Sequence, residues 1–326
     1  TDNPIEEMGI KQDVIAAPIS QMVKDCLADT GMDNKSMLKC RNMFAVGLVC
    51  WLFNRDLNIA EDFIREKFSK KPEIAEANIK VVRSVAHTYK IESKAAVPGK
   101  YMDITGNKAT AYGFIAAAEK AGLKLYLGSY PITPATDVLH ELSKHKSLGV
   151  TTVQCEDEIA GCASAIGASY AGALAVTSTS GPGICLKSEA MNLAVIMELP
   201  LVVLDVQRGG PATGLPTKSE QTDLLQVLFG RNGESPMPVI AATSPTDCFD
   251  SAYMAAKIAL EHMTPVVLLT DAFVANGSGA WKLPKLANYP AINPPYVRPE
   301  MSETWTPYQR DPKTGVRYWA VPGTEG

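Results

Sequence analysis

The chain has 326 residues, of which 46% are hydrophobic, and a formal net charge of -4 at pH 7. A chain of this length can bury one large core or two medium ones, and its charge provides no basic field to attract nucleic acid. Its seven cysteines form no C-x-x-C pair and its longest apolar run, residues 43–53, is short, so we expect reduced thiols in the cytoplasm, no metal site and no membrane span.

Residues 1–97 are predicted to form a helical segment without a sheet. Helical spacing is present in residues 18–27, 39–53 and 72–89, and Asn58 followed by Glu61 has the pattern of a capping box at a helix start. Residues 93–99, which include Pro98 and Gly99, are predicted to be the linker after this segment. Because the chain starts at Thr1 without a methionine, we expect it to be a piece of a longer protein.

From Tyr101 onwards strands and helices alternate. Strands are predicted at residues 124–129, 151–154, 174–179, 201–206, 239–242 and 265–270, and helices at 107–120, 134–144, 156–170, 186–197, 220–229 and 246–262. Apolar strands such as LVVLDV and PVVLLT are typical of a parallel sheet that is covered on both faces. Residues 98–274 are therefore predicted to be an α/β domain with a doubly wound, mostly parallel sheet. Prolines recur after it, so residues 275–326 are predicted to be an extended linker or wrapping arm.

One predicted helix is faced almost entirely with small residues. Asp157 and Glu158 lie in its first turn, where carboxylates suit the positive end of the helix dipole. The small residues that follow are Ala160, Gly161, Ala163, Ala165, Gly167, Ala168 and Gly172. Close packing on a neighbouring element is the commoner reason for such a stripe. Glu158 is harder to explain by packing, because it directly follows a strand and is expected at the rim of the sheet.

Ligands of open parallel sheets bind outside the carboxyl ends of the strands, so the loops at those ends are candidate site elements. In GSYPITPAT, Thr133 is predicted to be the N-cap of a helix and Pro134 its first residue. In TSTSGPG, the amides around Ser180 could receive an anion at a helix start. In QRGGPATGLPT, Arg208 follows a strand directly. Taken singly, the first loop is explained by a helix cap, the second by a tight turn and the third by a solvated charge. Their convergence with Glu158 on one edge of the sheet favours a ligand-binding site.

Several motifs in one order carry a resemblance to a known family. YPITP at residues 130–134, EDEIAG at 156–161, TSTSGPG, QRGGPATG and the spacing from Glu158 to Gly167 resemble the pyrimidine-binding domain of thiamine diphosphate enzymes. They resemble more closely the alpha subunit of 2-oxoacid:ferredoxin oxidoreductases, above all the 2-oxoglutarate type. The resemblance covers residues 106–271. The preceding helical segment is similar to the end of the gamma domain, which in this type lies before alpha on the same chain.

The resemblance implies roles for individual residues. Glu158 would hydrogen-bond the ring nitrogen N1' of the cofactor pyrimidine and stabilise the imino tautomer that activates thiamine. Thr133 and Arg208 would hold the substrate carboxylate. The residues implied to contact the cofactor besides Glu158 are Tyr130, Pro131, Ile132, Ser180 and Gly181.

The resemblance also implies the reaction and the partners. The reaction would be oxidative decarboxylation of a 2-oxoacid to an acyl-CoA, with coenzyme A as acyl acceptor and electrons passed to ferredoxin. A separate beta subunit would hold the diphosphate, Mg²⁺ and a [4Fe-4S] cluster, so we expect no turnover by the chain alone and a dimer of two alpha–beta units.

Three alternatives remain open at this stage. The substrate could be pyruvate or a branched-chain 2-oxoacid, and the chain could be a scaffold subunit without catalytic residues. A nucleotide-binding dehydrogenase or ligase would share the sheet, but no G-x-G-x-x-G follows the first strand and no Walker pattern is present.

Overall fold

The structure is a computed structural model that describes residues 17–53, 55–85, 97–301 and 303–324. It divides into two compact units, Thr1–Pro98 and Gly99–Gly326. None of the helices within the described ranges is both long enough and apolar enough to cross a membrane. The predicted helix end at residues 86–89 and most of the predicted linker lie outside the described residues.

The first unit is helical, and its described residues contain no strand. Its helices are α1 (Ile19–Leu27), α2 (Asn34–Lys39), α3 (Arg41–Leu52), α4 (Leu57–Lys67) and α5 (Pro72–Arg83). Apolar side chains of α1, α3 and α5 share a buried core that includes Leu27, Phe44 and Val81.

The capping box predicted at Asn58 is wrong. The N-cap of α4 is Asp56, whose carboxylate accepts the Asn58 amide at 2.9 Å. Glu61 does not turn back towards the helix start. It accepts two hydrogen bonds from the Arg83 guanidinium, at 2.6 and 2.7 Å, because Asp56 already caps the helix and a paired cation stabilises a buried carboxylate more strongly.

The second unit contains a six-stranded sheet with the strand order β3-β2-β4-β5-β7-β6, and all its neighbouring pairs are parallel. The strands are β2 (Leu125–Ser129), β3 (Val150–Gln154), β4 (Leu174–Thr179), β5 (Leu201–Gln207), β6 (Val239–Ala241) and β7 (Pro265–Asp271). The helices are α6 (Gly106–Ala121), α7 (Thr136–Leu142), α8 (Glu158–Tyr170), α9 (Gly181–Leu186), α10 (Ser188–Ile196), α11 (Leu224–Phe229), α12 (Asp247–His262) and α13 (Ala272–Asn276). The predicted α/β fold with a doubly wound parallel sheet is confirmed.

The sheet is covered on both faces, and β5 shows how its residues are divided. Val202 and Leu204 point into a core shared with α6, α7 and α12, which we call the α12 face. Leu201 and Val203 point into a core shared with α8, α9 and α10, which we call the α8 face. Side chains alternate between the faces because the period of a strand is two residues.

The segment after α13 packs on this unit. Strand β8 (Ser278–Lys282) pairs antiparallel with β1 (Tyr101–Thr105), and the sequence predicted neither strand. Further along, Trp319 is buried in the core of the α12 face and stacks on Tyr296 with ring centroids 5.5 Å apart. Within the predicted arm, residues 278–282 thus form regular structure and Trp319 fills part of the core.

Two predicted helix boundaries differ near the strand ends. The helix predicted from residue 134 begins at Thr136, and Ala135 precedes it without a side-chain cap. Ile132 exchanges two hydrogen bonds with Thr136, since its amide donates to the Thr136 hydroxyl at 2.8 Å and its carbonyl accepts the Thr136 amide at 2.9 Å. This turn places Thr133 outside the helix, so its predicted capping role is wrong. The helix predicted at 186–197 is broken at Lys187, between α9 and α10.

Candidate functional site

Four loops that the sequence singled out lie at the same edge of the sheet. They follow β3, β2, β4 and β5, which are neighbours and run parallel. Because the carboxyl ends of parallel strands share one edge, these loops bring Glu158, Tyr130, Ser180 and Arg208 to that edge. The convergence expected from the sequence is therefore present in the structure.

Glu158 is the first residue of α8. Asp157 is the N-cap, and its carboxylate accepts the Ala160 amide at 2.8 Å. Glu158 is half-buried, whereas Glu156, two residues earlier, is exposed. The structure thus distinguishes the two glutamates, and it places Glu158 where the helix dipole favours a carboxylate.

The small residues of α8 have two different surroundings. On the inner side, Gly161 and Ser164 pack so closely on β2 that a Cβ atom at Gly128 would lie 2.5 Å from the Gly161 carbonyl oxygen and 2.3 Å from the Ser164 hydroxyl. On the outer side, Ala163 and Gly167 are exposed, and a Cβ atom at Gly167 would meet nothing within 4 Å. Close packing therefore explains the inner side, and the outer side is an open strip.

Tyr130 lies buried beside Glu158. Its hydroxyl group is 2.8 Å from the Thr179 hydroxyl. Burial raises the pKa of the Tyr130 phenol, and the neighbouring Glu158 carboxyl raises it further, so the phenol stays neutral. A Cβ atom at Gly183 would lie 2.3 Å from the Tyr130 hydroxyl and 2.9 Å from Glu158 Cγ. Only glycine allows the start of α9 to approach these groups so closely.

Lys187 is fully buried at the end of α9, and the sequence analysis missed it. Its ammonium group donates to the main-chain carbonyl of Glu158 at 2.9 Å and to the Thr177 hydroxyl at 3.0 Å, and it lies 5.3 Å from the centre of the Tyr130 ring. Burial lowers the pKa of Lys187. Its neighbours in the sequence, ICL before it and SEA after it, gave no local signal of its burial.

Arg208 is a buried cation that is held mainly by carbonyl groups. Its Nη1 donates to the Thr133 carbonyl at 2.6 Å and its Nη2 to the Thr213 carbonyl at 2.5 Å. Its Nε is buried and has no hydrogen-bond partner among the described residues. The Thr133 side chain is exposed at the same place. The guanidinium is therefore rigidly placed, and these two carbonyl groups use only two of its five N–H donors.

The loop of residues 208–223 takes its shape from local contacts. Gly214 has φ +65°, and a Cβ atom there would lie 1.9 Å from the Gly209 carbonyl oxygen. Glu220 accepts the Gly210 amide at 2.7 Å and the Asp223 amide donates to the Gln207 side chain at 3.0 Å. Because these contacts hold residues 220–223 in the loop, the helix predicted from residue 220 begins only at Leu224.

Two carboxyl groups lie together below this edge. Asp205 of β5 is 0% exposed, and Asp223 is next to it. Burial, together with the charge of Asp223, raises the pKa of Asp205 well above its ordinary value, and burial also raises the pKa of Asp223. Both shifts favour the protonated form of the pair over a wider range of pH than for exposed carboxyl groups. The sequence analysis missed it, although an acid within the apolar strand LVVLDV was a visible signal.

The TSTSGPG loop, where the sequence analysis considered an anion site, faces one of these carboxyl groups. The Ser180 hydroxyl is buried without a hydrogen-bond partner in the described part of the chain. A Cβ atom at Gly181 would lie 3.0 Å from the Asp223 carboxyl. The predicted contacts of Ser180 and Gly181 with a cofactor stay predictions, as do those of Pro131, which is exposed, and Ile132, which is half-buried. Across the described ranges, no group of three or more His, Cys, Asp or Glu side chains is placed to hold a metal ion.

Comparison with known proteins gives one family match. Residues 116–318 match the family described as pyruvate flavodoxin/ferredoxin oxidoreductase, thiamine diphosphate-binding. This range includes all four loops of the site and most of the segment that packs on the α12 face.

Similar proteins and a similar solved structure agree with this match. The chain is 50% identical to the 2-oxoglutarate oxidoreductase subunit KorA of Mycobacterium tuberculosis, over 99% of this chain and 51% of that protein. It is 41% identical to the 2-oxoglutarate synthase subunit KorA of Archaeoglobus fulgidus, over 56% of this chain and 52% of that protein. The chain thus spans about half the length of these relatives.

The similar solved structure is that of 2-oxoglutarate:ferredoxin oxidoreductase from Magnetococcus marinus with 2-oxoglutarate, coenzyme A and succinyl-CoA bound. The TM-score is 0.73 and the sequence identity is 33%, over 97% of this chain and 55% of that one.

Proposed function

The chain belongs to the thiamine diphosphate-binding pyruvate flavodoxin/ferredoxin oxidoreductase family, and from this premise we propose that it is the alpha part of a 2-oxoacid:ferredoxin oxidoreductase. The proposed reaction is oxidative decarboxylation of 2-oxoglutarate to its acyl-CoA, with electrons passed to ferredoxin. The names of the relatives from Mycobacterium tuberculosis and Archaeoglobus fulgidus support 2-oxoglutarate as the substrate.

The observation that carries the proposal is the position of Glu158. A half-buried carboxyl group starts a helix next to the buried phenol of Tyr130, and on the exposed side of that helix the small residues Ala163 and Gly167 lie between the larger Ile159 and Tyr170. A flat aminopyrimidine needs a carboxyl group for its ring nitrogen and small residues that leave room for the ring. The residues present therefore fit the pyrimidine end of thiamine diphosphate.

In this proposal Glu158 holds a proton between its carboxyl group and N1' of the pyrimidine. Thiamine diphosphate, when bound, supplies the nucleophilic carbon that takes up the 2-oxoacid and permits loss of carbon dioxide. Tyr130 and the close approach of Gly183 restrict the positions that the Glu158 side chain can adopt. The carboxyl group thus meets the ring nitrogen without a reorganisation of the site.

Arg208, with Thr133, is proposed to bind the substrate carboxylate. The Arg208 guanidinium is fixed by the carbonyls of Thr133 and Thr213. The guanidinium N–H groups that these carbonyls do not use and the exposed Thr133 hydroxyl are the proposed donors, and a buried cation binds a carboxylate more strongly than an exposed one.

The remaining partners complete the proposal. A beta subunit is proposed to hold the diphosphate with Mg²⁺ and a [4Fe-4S] cluster, and two alpha–beta units are proposed to associate. Coenzyme A accepts the acyl group. The seven free cysteines fit a reducing compartment, and we propose the cytoplasm.

The test is an activity assay with purified components. The chain, in its full-length form, is mixed with thiamine diphosphate, Mg²⁺, coenzyme A and ferredoxin or a viologen, with and without the beta subunit. Reduction is expected only with the beta subunit, and fastest with 2-oxoglutarate among 2-oxoglutarate, pyruvate and branched-chain 2-oxoacids. Faster reduction with another 2-oxoacid would assign that 2-oxoacid as the substrate in place of 2-oxoglutarate. Reduction that survives loss of both Glu158 and Arg208 would leave the chain a scaffold subunit.

A further inference from the structure

Lys187 has contacts to three elements of the candidate site. Its ammonium group donates to the main-chain carbonyl of Glu158 in α8 and to the hydroxyl of Thr177 in β4, and it lies over the ring of Tyr130 in the loop after β2. The side chain is 0% exposed. None of these contacts is used by the chemistry proposed above.

The local fold does not require this lysine. A carbonyl in the first turn of a helix already accepts the amide four residues further on, so the Glu158 carbonyl needs no second donor. Burying an ammonium group is costly unless polar partners compensate, and burial lowers the pKa of Lys187. A methionine would fill similar space at a lower cost. The position of the charge therefore needs an explanation outside packing.

We propose that Lys187 is a positioning residue that fixes the start of α8, and with it the Glu158 carboxyl group, relative to the bound pyrimidine. This inference rests on the proposed function. The ammonium group links the main chain of Glu158 to Thr177 in β4, a central strand of the sheet. The Tyr130 ring packs against the same ammonium group.

The size of the expected effect follows from geometry. A displacement of about 1 Å at a reacting group can cost about a hundredfold in rate. Without the ammonium, the first turn of α8 keeps its N-cap Asp157 but loses its link to Thr177. The Glu158 carboxyl would then sample positions away from N1'. Cofactor binding would change little, because the diphosphate is held elsewhere in the proposed complex.

The test uses Lys187→Met in the complex with the beta subunit. The main readout is exchange of the hydrogen at carbon 2 of bound thiamine diphosphate for deuterium, measured by acid quench and NMR without substrate. We expect exchange to slow by roughly tenfold to a hundredfold. The kcat should fall by a similar factor, with the KM for 2-oxoacid and the affinity for thiamine diphosphate within about threefold of the wild-type values.

Two further variants separate positioning from general stability. Arg231→Met removes a half-buried cation that also donates to main-chain carbonyls, those of Val227 and Ser235, so it should lower the melting temperature and leave exchange unchanged. Thr177→Val keeps the ammonium and removes one of its acceptors. Exchange should slow by roughly twofold to tenfold, the equivalent of one hydrogen bond.

The outcomes are distinguishable. Wild-type exchange in both Lys187→Met and Thr177→Val overturns the inference, and so does wild-type exchange in Thr177→Val if Lys187→Met does not fold. Equal slowing in Arg231→Met also overturns it, because the effect would then be general destabilisation. If the wild-type complex itself neither binds thiamine diphosphate nor catalyses exchange, the proposed function fails. If Glu158→Gln abolishes exchange and the Lys187 and Thr177 variants do not alter it, only the inference fails.

Discussion

The two faces of the parallel sheet are equally buried but differ in charge. On the α12 face, strand residues such as Val202 and Leu204 pack with apolar side chains of three helices and with Trp319. On the α8 face the same strand contributes Leu201, Val203 and Asp205, and the carboxyl group of Asp205 is buried like the two apolar side chains. The difference is greatest at the carboxyl edge, which is where the candidate site lies.

The comparison separates residues that stabilise the fold from residues that cost stability. Burial of apolar groups stabilises both faces, whereas burial of ionisable groups is unfavourable without compensation. Lys187 and Asp205 are buried on the α8 face, and Arg208 is buried in the loop after β5. Strongly perturbed ionisable groups near a loop cluster are typical of functional sites. Substitutions of buried apolar residues should therefore lower stability, whereas substitutions of the buried ionisable groups should change function or the pH dependence of stability.

The largest expected change in stability comes from the α12 face. Leu204→Ala removes a fully buried side chain from its core, so the free energy of unfolding should fall by about 2–5 kcal/mol. Chemical denaturation of the chain measures this change. Leu225→Ala, at a leucine that is 68% exposed, is the matched control, and it should shift stability by less than about 0.5 kcal/mol. Equal losses in the two variants would contradict the assignment of the core.

A substitution of Arg208, which is proposed to bind the substrate carboxylate, should affect catalysis more than folding. Arg208→Lys keeps the positive charge but loses the planar guanidinium, including its unpaired Nε. The ratio kcat/KM for 2-oxoacid should fall by roughly tenfold to a hundredfold, since a hydrogen bond to a charged group contributes about 1.5–3 kcal/mol. Steady-state kinetics and a thiamine diphosphate titration check this together. Loss of cofactor affinity by the same factor would indicate a cofactor or folding role instead.

The buried carboxyl pair predicts a pH dependence of stability. The pKa of Asp205 is raised in the folded state by burial and by Asp223. Between its ordinary value and the raised value the folded chain binds more protons than the unfolded chain, so stability falls as pH rises through this window. Below the ordinary pKa the carboxyl group is protonated in both the folded and the unfolded chain, so it no longer makes stability depend on pH.

Asp205→Asn should remove this dependence. The variant should gain stability relative to the wild-type chain at pH 8, and the gain should shrink towards pH 5. Melting curves at both pH values test it, with Asp62→Asn, at an exposed aspartate of α4, as the control. A gain that is the same at both pH values would contradict the raised pKa of Asp205.

The smallest expected effects concern the turn before α7. Thr136→Ala removes the hydroxyl that accepts the Ile132 amide, so stability should fall by about 0.5–1.5 kcal/mol. Thr133→Ala should change stability by less than about 0.5 kcal/mol, because Thr133 is exposed and caps no helix. Melting temperatures of the two variants compare the positions directly. A larger loss at Thr133 would restore the capping role that the sequence indicated.

The strands were predictable where burial is complete. The strand Leu174–Thr179 was predicted with the bounds that the structure has, and all its residues are buried. The strands β1 and β8 were missed, since each buries a single residue, Ile104 in one and Trp281 in the other. Their pairing joins segments far apart in the sequence, and no local pattern indicates it.

The site was predictable where residue type and loop position coincide. Arg208 follows β5 directly and Glu158 follows β3 after three residues, so their sequence positions predicted that both lie at the carboxyl edge of the sheet. Lys187 and Asp205 were missed because local patterns treat a charged residue as exposed, whereas tertiary packing buries both. The capping role of Thr133 was predicted wrongly for a related reason. A Thr-Pro pair is common at helix starts, and the hydrogen bond from the Ile132 amide to the Thr136 hydroxyl cannot be read from the sequence.

The most direct test of the central claim compares two glutamates two residues apart. Reduction of ferredoxin or a viologen by 2-oxoglutarate is measured in the reconstituted complex with Glu158→Gln and with Glu156→Gln. Glu158 is the half-buried first residue of α8 and Glu156 is exposed. Glu158→Gln should lower kcat by about 10² to 10⁴, the usual contribution of general acid–base assistance, and Glu156→Gln should match the wild-type complex. Full activity in Glu158→Gln together with its loss in Glu156→Gln would contradict the account.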